Sequence, residues 1–393
     1  MRSKISVLVS LLLLLVLTSC NFVLPDTEFI STESPNNTDS IPGEFATENP
    51  ILDLLVEGNE LWATTPEGVI LWNLQDGSQR KYTIQDGLNS NNVRKIIRDS
   101  QGNIWVSCYT SGVSRFDGNK WESFTVINGL CSDDVITLAS DSKGGVWVSA
   151  YWGVSYFDGE QWSSFSNVSP DEPAIGGPNP MKDCQNLTYV DAELSAADVI
   201  FIDSRGVVWF GSRHSAVTGF DDKNWKVYSE EDGLARGNIS AIFEDSRGIN
   251  WFGTGFGNVC CFYGIKWQTL KEGDFRPGEA IPRPFITDIK QDNAGNIWVA
   301  AYKGGISRFN GTNWQTFTTS DGLASDNAEI IFIFRDGKVG VITDNGVCLF
   351  DGNNWQVITE ADGLPGGRVA TVAKDYNDNL WFGGEGGISY YSK

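Results

Sequence analysis

Asn92-Val93-Arg94-Lys95-Ile96-Ile97-Arg98-Asp99-Ser100-Gln101-Gly102-Asn103-Ile104-Trp105-Val106, then Gly112-Val113-Ser114-Arg115-Phe116-Asp117-Gly118-Asn119-Lys120-Trp121, sets a pattern that the rest of the chain copies. The Trp105 position recurs at Trp62, Trp147, Trp209, Trp251, Trp298, Gly340 (Trp replaced) and Trp381, with spacings of 43, 42, 62, 42, 47, 42 and 41. A fixed period of this length marks a repeat architecture, in which one supersecondary unit buries its faces against its neighbours. Each period holds four short apolar or alternating runs separated by turn chemistry. The first junction is Asp-x-x-Gly, as at Asp99 to Gly102 and Asp245 to Gly248. The third is Asp-Gly or Asn-Gly, as at Asp117-Gly118, Asp158-Gly159, Asn310-Gly311 and Asp351-Gly352, where a tight hairpin needs positive φ. Four antiparallel strands per period, a to d, make one blade, so the expected fold is an all-β propeller of eight four-stranded blades. Seven blades with a divergent extra unit is the alternative.

Ring closure checks the count. The last unit supplies strands a, b and c (Val369 to Ala373, Leu380 to Gly383, Ile388 to Tyr391) and stops where strand d should begin. Glu44 to Asn49 aligns with the tail of strand d and its exit, as in Thr316 to Asp321. An N-terminal strand is therefore expected to close the last blade and remove an exposed edge.

Composition agrees and excludes several functions. The 43 Gly are too many for a helical protein, and 29 Lys and Arg against 50 acids, a formal charge of −21, argue against a nucleic-acid partner. A single His removes His-rich metal sites and any device needing two imidazoles, so neither metal nor cofactor is expected.

Ahead of the repeats, Arg2 and Lys4 precede an apolar run from Ile5 to Leu17 that ends in Leu17-Thr18-Ser19-Cys20. The run is too short for a permanent membrane span and reads as a signal peptide over 1–19. Its ending resembles a bacterial lipobox, which implies diacylglyceryl modification of Cys20 and lasting membrane attachment through lipid alone. Cleavage removes two cations and no acid, taking the formal charge from −21 to −23. Residues 20–44, rich in Pro, Ser, Thr and Asn, read as a disordered tether, and 45–393 as the propeller.

The repeat itself, Asp-x-x-Gly-x-(Ile/Val/Leu)-Trp-(Val/Phe), then Gly-(Val/Ile)-Ser-x-Phe-Asp-Gly-x-x-Trp, then Asp-Gly-Leu, resembles the two-component regulator propeller repeat. That resemblance implies a propeller of the kind found in the periplasmic sensor region of bacterial hybrid histidine kinases and in stand-alone secreted proteins. The sequence shows no transmembrane helix, kinase core or receiver domain, so signalling catalysis is not implied.

Thirteen of the 15 Trp fall in the strand b and strand d positions and are assigned to packing between blades. Trp72 is assigned to packing within strand c, whereas Trp152 falls in a turn. With antiparallel strands, the b–c turns and d–a connections share one face, and their residues change type from blade to blade. Tyr109, Tyr151, Trp152, Arg213, His214, Phe256, Tyr302, Lys303 and Glu385 are the candidate ligand-binding residues there. Aromatic rings cover the apolar faces of a sugar or a peptide side chain, while Arg213, Lys303 and Glu385 orient polar groups. The extra residues at about 167–197 are expected on the same face, as a lid, a pocket wall or a long tolerated loop. Cys108 and Cys131, both near that face, are a candidate disulfide.

The expected protein is thus an exported, lipid-anchored monomer facing the periplasm or the cell exterior that binds a glycan or peptide. A scaffold for an extracytoplasmic protein is the first alternative. A lyase similar to streptogramin lyases, themselves propellers, is the second. His214 stands without a second His to assist proton abstraction, which weighs against an enzyme.

Overall fold

Residues six positions apart in the repeat explain why its hairpins form. Asp99 Oδ1 accepts the backbone N–H groups of Gln101 (3.0 Å) and Asn103 (2.8 Å), which fixes the a–b turn. Its Oδ2 accepts the indole N–H of Trp105 at 2.8 Å. The same bond joins Trp209 to Asp203, Trp251 to Asp245 and Trp298 to Asp292 at 2.8 to 3.0 Å. In four of the eight blades one carboxylate therefore closes a turn and satisfies a buried indole, so these acids serve the scaffold.

The computed structural model describes Phe29–Ile30, Phe45, Thr47 and residues 49–168, 184, 186–270 and 284–392. The strands form eight sheets of four, the third carrying one more. In the second blade, a is Val93–Arg98, b Ile104–Cys108, c Val113–Phe116 and d Trp121–Phe124. Consecutive a strands touch around the whole ring, Val369–Lys374 of the eighth blade against Asp53–Glu57 of the first, so they surround the axis. Eight blades, rather than seven and a remnant, close the circle.

The core lies between blades. Trp105 stacks on Phe124 of its own blade (5.7 Å) and meets Trp162 of the next edge-on (6.0 Å). All seven strand b Trp are buried, as is Trp72. The d–a connections cross to the next blade by a second repeated device. Thr83, Ser229, Thr318 and Thr359 each cap a single 3-10 turn whose third residue, an Asp, bonds back to the cap. A left-handed Gly follows, Gly87 at φ 109° and Gly129 at φ 116° among them. Gly129 seats so close to Trp162 that a methyl group there would lie 2.8 Å from the Trp162 Cβ. Two residues beyond that Gly, a backbone N–H reaches strand c of the next blade. Asn89 and Cys131 donate to the hydroxyls of Ser114 and Ser155 (3.1 and 2.9 Å), while Ala235 and Ala324 donate to the sulfurs of Cys260 and Cys348 (3.0 and 3.2 Å).

An N-terminal strand does close the last blade, but its position differs from the expected 44–49. Phe29 pairs with Tyr391 and Ile30 with Tyr390, within the segment expected to be tether. The outer edge of strand c, Gly387–Tyr391, needs main-chain partners, and these two residues supply them. Phe29 thereby takes the register that Trp121 has opposite Phe116 in the second blade. Phe45 fills the place of the strand d Phe without being in a strand, buried 5.1 Å from Trp381 and 6.0 Å from Trp72. The signal peptide and Cys20 lie outside the described residues.

The insertion after the third blade returns as Leu187–Tyr189, which adds in parallel to the outer edge of Trp162–Ser166. Residues 190–197 then run to the fourth blade, where Thr218 donates to the carbonyl of Glu193 (2.9 Å) and Ala196 to that of Tyr151 (3.1 Å). Residues 169–183 of the insertion lie outside the described residues. The bond suggested between Cys108 and Cys131 is not made. Cys108 packs between the first and second blades and Cys131 against Ala150 of the third, so the two thiols belong to different interfaces.

Candidate functional site

Strand a enters the ring from the loop-rich face, and six of the eight break their ladder there. The register shifts leave Arg94, Ile136, Ser240, Thr287, Glu329 and Ala370 as extra residues at the mouth of the ring. Such bulges re-aim side chains at rims and sites. Beside this inner circle stand the b–c turns. Three of them hold a non-glycine residue in the left-handed region, Thr110 (φ 51°), Ser215 (φ 62°) and Lys303 (φ 63°), each directly after a candidate residue. Backbone strain of this kind persists where surrounding structure over-determines the turn.

Eight of the nine candidate residues lie in these turns and Tyr302 ends the strand just before one, distributed over blades two to six and eight. Tyr109, Tyr151, Phe256 and Tyr302 are 46, 49, 42 and 42% exposed, respectively. The Arg94 guanidinium covers the Tyr109 ring at 3.9 Å. Tyr151 stands edge-on to Trp152 with 5.1 Å between ring centroids. Trp152 is mostly buried, because it packs on the cluster of Cys131 and Ala150. The Lys303 ammonium lies 5.5 Å from the Tyr302 ring centroid. Phe285 pairs across the ladder with Tyr302, is 39% exposed and approaches Gly255, which joins Tyr302 to the turn of Phe256.

Two of the candidate polar residues, Arg213 and His214, already have carboxylate partners. Arg213 holds Asp198 in a bidentate contact, Nε at 2.9 Å and Nη2 at 2.7 Å, and that bond pushes the guanidinium pKa up. Tyr151 lies within electrostatic range of Arg213. His214 Nδ1 lies 3.0 Å from Glu193 of the insertion. Glu385 stands apart in the eighth blade, near Arg368, which Glu329 binds at 2.5 Å. The structure thus brings together Tyr151, Trp152 and Arg213 on one arc, and Phe256, Tyr302 and Lys303 on another. Tyr109 and Glu385 sit on their own.

Arg94, Glu193, Asp198, Phe285, Glu329 and Arg368 were not singled out by sequence. A bulge in strand a places Arg94 and Glu329, and bulges leave no mark in an apolar pattern. Asp198 and Glu193 belong to the one connection that departs from the repeat, so no other blade predicts their position. Among the described residues no group of three or more His, Cys, Asp or Glu is arranged to hold a metal. The imidazole of His214 is solvent-exposed on the rim and its single partner is a carboxylate.

Comparison with known proteins agrees with this geometry. The family model described as two component regulator propeller matches residues 87–110, which run from the left-handed Gly of one connection through strands a and b of the second blade. No curated protein matches the chain. Among solved structures, the extracellular domain of a hybrid two component system from B. thetaiotaomicron superposes with a TM-score of 0.51 at 19% identity. That match covers 87% of this chain and 51% of the other, so this chain spans about half of its length. The computationally designed protein Ika8 matches with a TM-score of 0.64 at 15% identity over 93% of this chain and 100% of its own. Virginiamycin B lyase from Staphylococcus aureus, solved with quinupristin, gives 0.51 at 11% identity over 93% and 98%. At these identities the structural likenesses speak for the fold. The match of the family model to one blade and the closed ring of eight blades make this chain similar to two-component regulator propellers.

Proposed function

We propose that the chain is an exported, lipid-anchored, sensor-like propeller that binds a glycan at the inner part of its loop-rich face. One observation carries this reading: four candidate aromatic rings and Phe285 stay two-fifths to half exposed around the bulged mouth, while the repeat buries its Trp between blades. Exposed rings in a circle offer apolar faces for sugar rings. The polar groups beside them are matched by acids, the Arg213 guanidinium by Asp198 and the His214 ring by Glu193. A matched pair suits a neutral polyhydroxylated ligand better than a charged one, because a sugar hydroxyl accepts from the guanidinium and donates to the carboxylate. Among the described residues no helix is long and apolar enough to cross a membrane, which fits attachment through Cys20.

The test is calorimetric titration of neutral oligosaccharides and peptides, with Tyr151→Ala as control. Sugar binding weakened at least tenfold by the substitution supports the proposal. Binding of peptides alone moves the ligand to the peptide class. Silence across the panel, or equal affinity in the variant, refutes the site. Membrane attachment is read separately, by release of Cys20→Ala into the soluble fraction.

A further inference from the structure

Four of the five Cys in the propeller outside the insertion are accounted for by packing. Cys260 and Cys348 stand in strand c where other blades carry Ser, and each accepts a backbone N–H from the incoming connection. Cys108 contacts Ser114 at 3.6 Å inside the core of the first two blades, and Cys261 is buried beside Trp251. Cys131 follows Asn128-Gly129-Leu130, where the corresponding residues are Asn89, Ala235, Ala324 and Pro365, and only its backbone serves the repeat. Cys184 lies in the insertion, which no other blade has. Both departures from the repeat meet in one place, the cluster that holds Cys131, Ala150, Cys184, Leu187 and Trp152.

Polar contacts connect them as well. The Cys131 thiol bonds to Ser155 and the Cys184 thiol to Ser164, and those two hydroxyls are 2.7 Å apart. Cys131 is buried, and that burial pushes its thiol up to about 12, while Cys184 retains partial access to solvent. Cys131 and Cys184 are both free thiols in this structure, packed in one cluster; we propose that they form a disulfide after export, stapling the insertion to the third blade beneath Trp152.

The oxidant is a disulfide of the thiol–disulfide oxidoreductase class. Cys184, the accessible partner, loses its proton and attacks that disulfide, forming a mixed disulfide and releasing one thiolate. Cys131 then loses its proton and attacks the Cys184 sulfur, releasing the second thiolate. Two S–H bonds become one S–S bond, and the oxidant leaves as a dithiol. The bond would fix the wall that carries Glu193 against His214 and would hold the floor under Trp152.

The experiment uses the full chain exported by its own leader, alkylated before any reduction and digested with trypsin. Residues 121–143 and 183–205 are tryptic peptides with one Cys each, Cys131 and Cys184. The expected result is a joined pair two hydrogens lighter than the sum of the peptides, lost on reduction and absent in Cys184→Ala. Recovery of both peptides singly alkylated, or Cys131 joined to any other Cys, overturns the proposal. A second readout is independent of digestion: reductant should lower the thermal midpoint of the native chain and leave that of Cys184→Ala unchanged. An equal response in both also overturns it.

Discussion

Removing the Asp203 carboxylate should cost the ring several degrees of thermal stability. The Asp203 side chain is fully buried, 0% exposed, and gathers donors from two blades. It accepts the backbone N–H groups of Arg205 and Val207 (both 3.0 Å), the Arg205 guanidinium (2.5 Å), the Trp209 indole (3.0 Å) and, from the fifth blade, the Asn250 amide (3.1 Å). In Asp203→Ala, Arg205 turns to solvent, but Trp209 and Asn250 keep buried donors with no acceptor. At about 1–3 kcal/mol for each orphaned buried group, and with the turn weakened, the loss is about 3–5 kcal/mol. An unfolding entropy of about 2.1 cal/mol/K per residue over roughly 340 residues converts this to a midpoint fall of about 4–7 °C, for a ring that melts as one unit. The fall also depends on pH in a stated direction. Burial works to raise the Asp203 pKa, but bonds from Arg205, Trp209 and Asn250 outweigh it and hold the carboxylate below its ordinary value. A depressed carboxylate contributes its full stability above the unfolded value of about 3.9 and loses it as pH falls through the lower folded value. Scanning calorimetry of native chain and variant at pH 7 and below pH 4 should therefore show a gap that narrows with acid. A gap below about 1 °C at pH 7, or one indifferent to pH, would refute the assigned role.

Four further outcomes follow from the geometry. Gly129→Ala forces a Cβ into positive φ (116°) and 2.8 Å from the Trp162 Cβ, so urea unfolding should show a loss of about 2–4 kcal/mol with an unchanged m-value. Gly118→Ala, with φ 93° but open space around it, should lose only about 1 kcal/mol. Phe45→Ala deletes the ring wedged between Trp381 and Trp72, and a loss of about 3 kcal/mol with faster proteolysis at the junction of the first and eighth blades is expected. Tyr151→Ala should leave the thermal midpoint within about 1 °C of native, since the ring is half exposed, so any loss of ligand affinity reports on binding.

The fold was legible because each blade repeats the same physical solution. The Asp six residues before six of the seven strand b Trp, the Asp-Gly hairpins and the Asp-Gly-Leu connections are local rules, and local rules survive in a linear sequence. Closure was legible as a principle but displaced in detail. Phe45 aligned correctly as a buried aromatic, yet the paired residues are Phe29–Ile30, because a two-residue ladder can be supplied by any extended segment within reach. The candidate site was legible as turns but not as partners. Arg213 and His214 were visible, whereas their carboxylates came from Asp198 and Glu193, in a connection with no counterpart in other blades. The cysteines show the same divide: strand c Cys can be read as stand-ins for Ser, but nothing in spacing brings Cys131 to Cys184.

The structure also narrows where variation is free. The whole loop-rich face is not variable, because its outer part carries the capped 3-10 turns and left-handed glycines that seat each connection on the next blade. A substitution there breaks contact between blades, as Gly129 against Trp162 illustrates. The b–c turns join strands within one blade and touch the next connection mainly through backbone, as the Lys303 N–H does at Asn327 (3.1 Å), while the bulged residues of strand a stand off the ladder, so the side chains of both are less constrained. Freedom to change residue type is therefore confined to an inner circle around the axis, the same circle where Tyr109, Tyr151, Phe256, Phe285 and Tyr302 remain exposed. A propeller whose repeat fixes everything except that circle can alter what it recognises without altering how it stands, and exchanging the b–c turns between blades should shift ligand preference while leaving the melting transition in place.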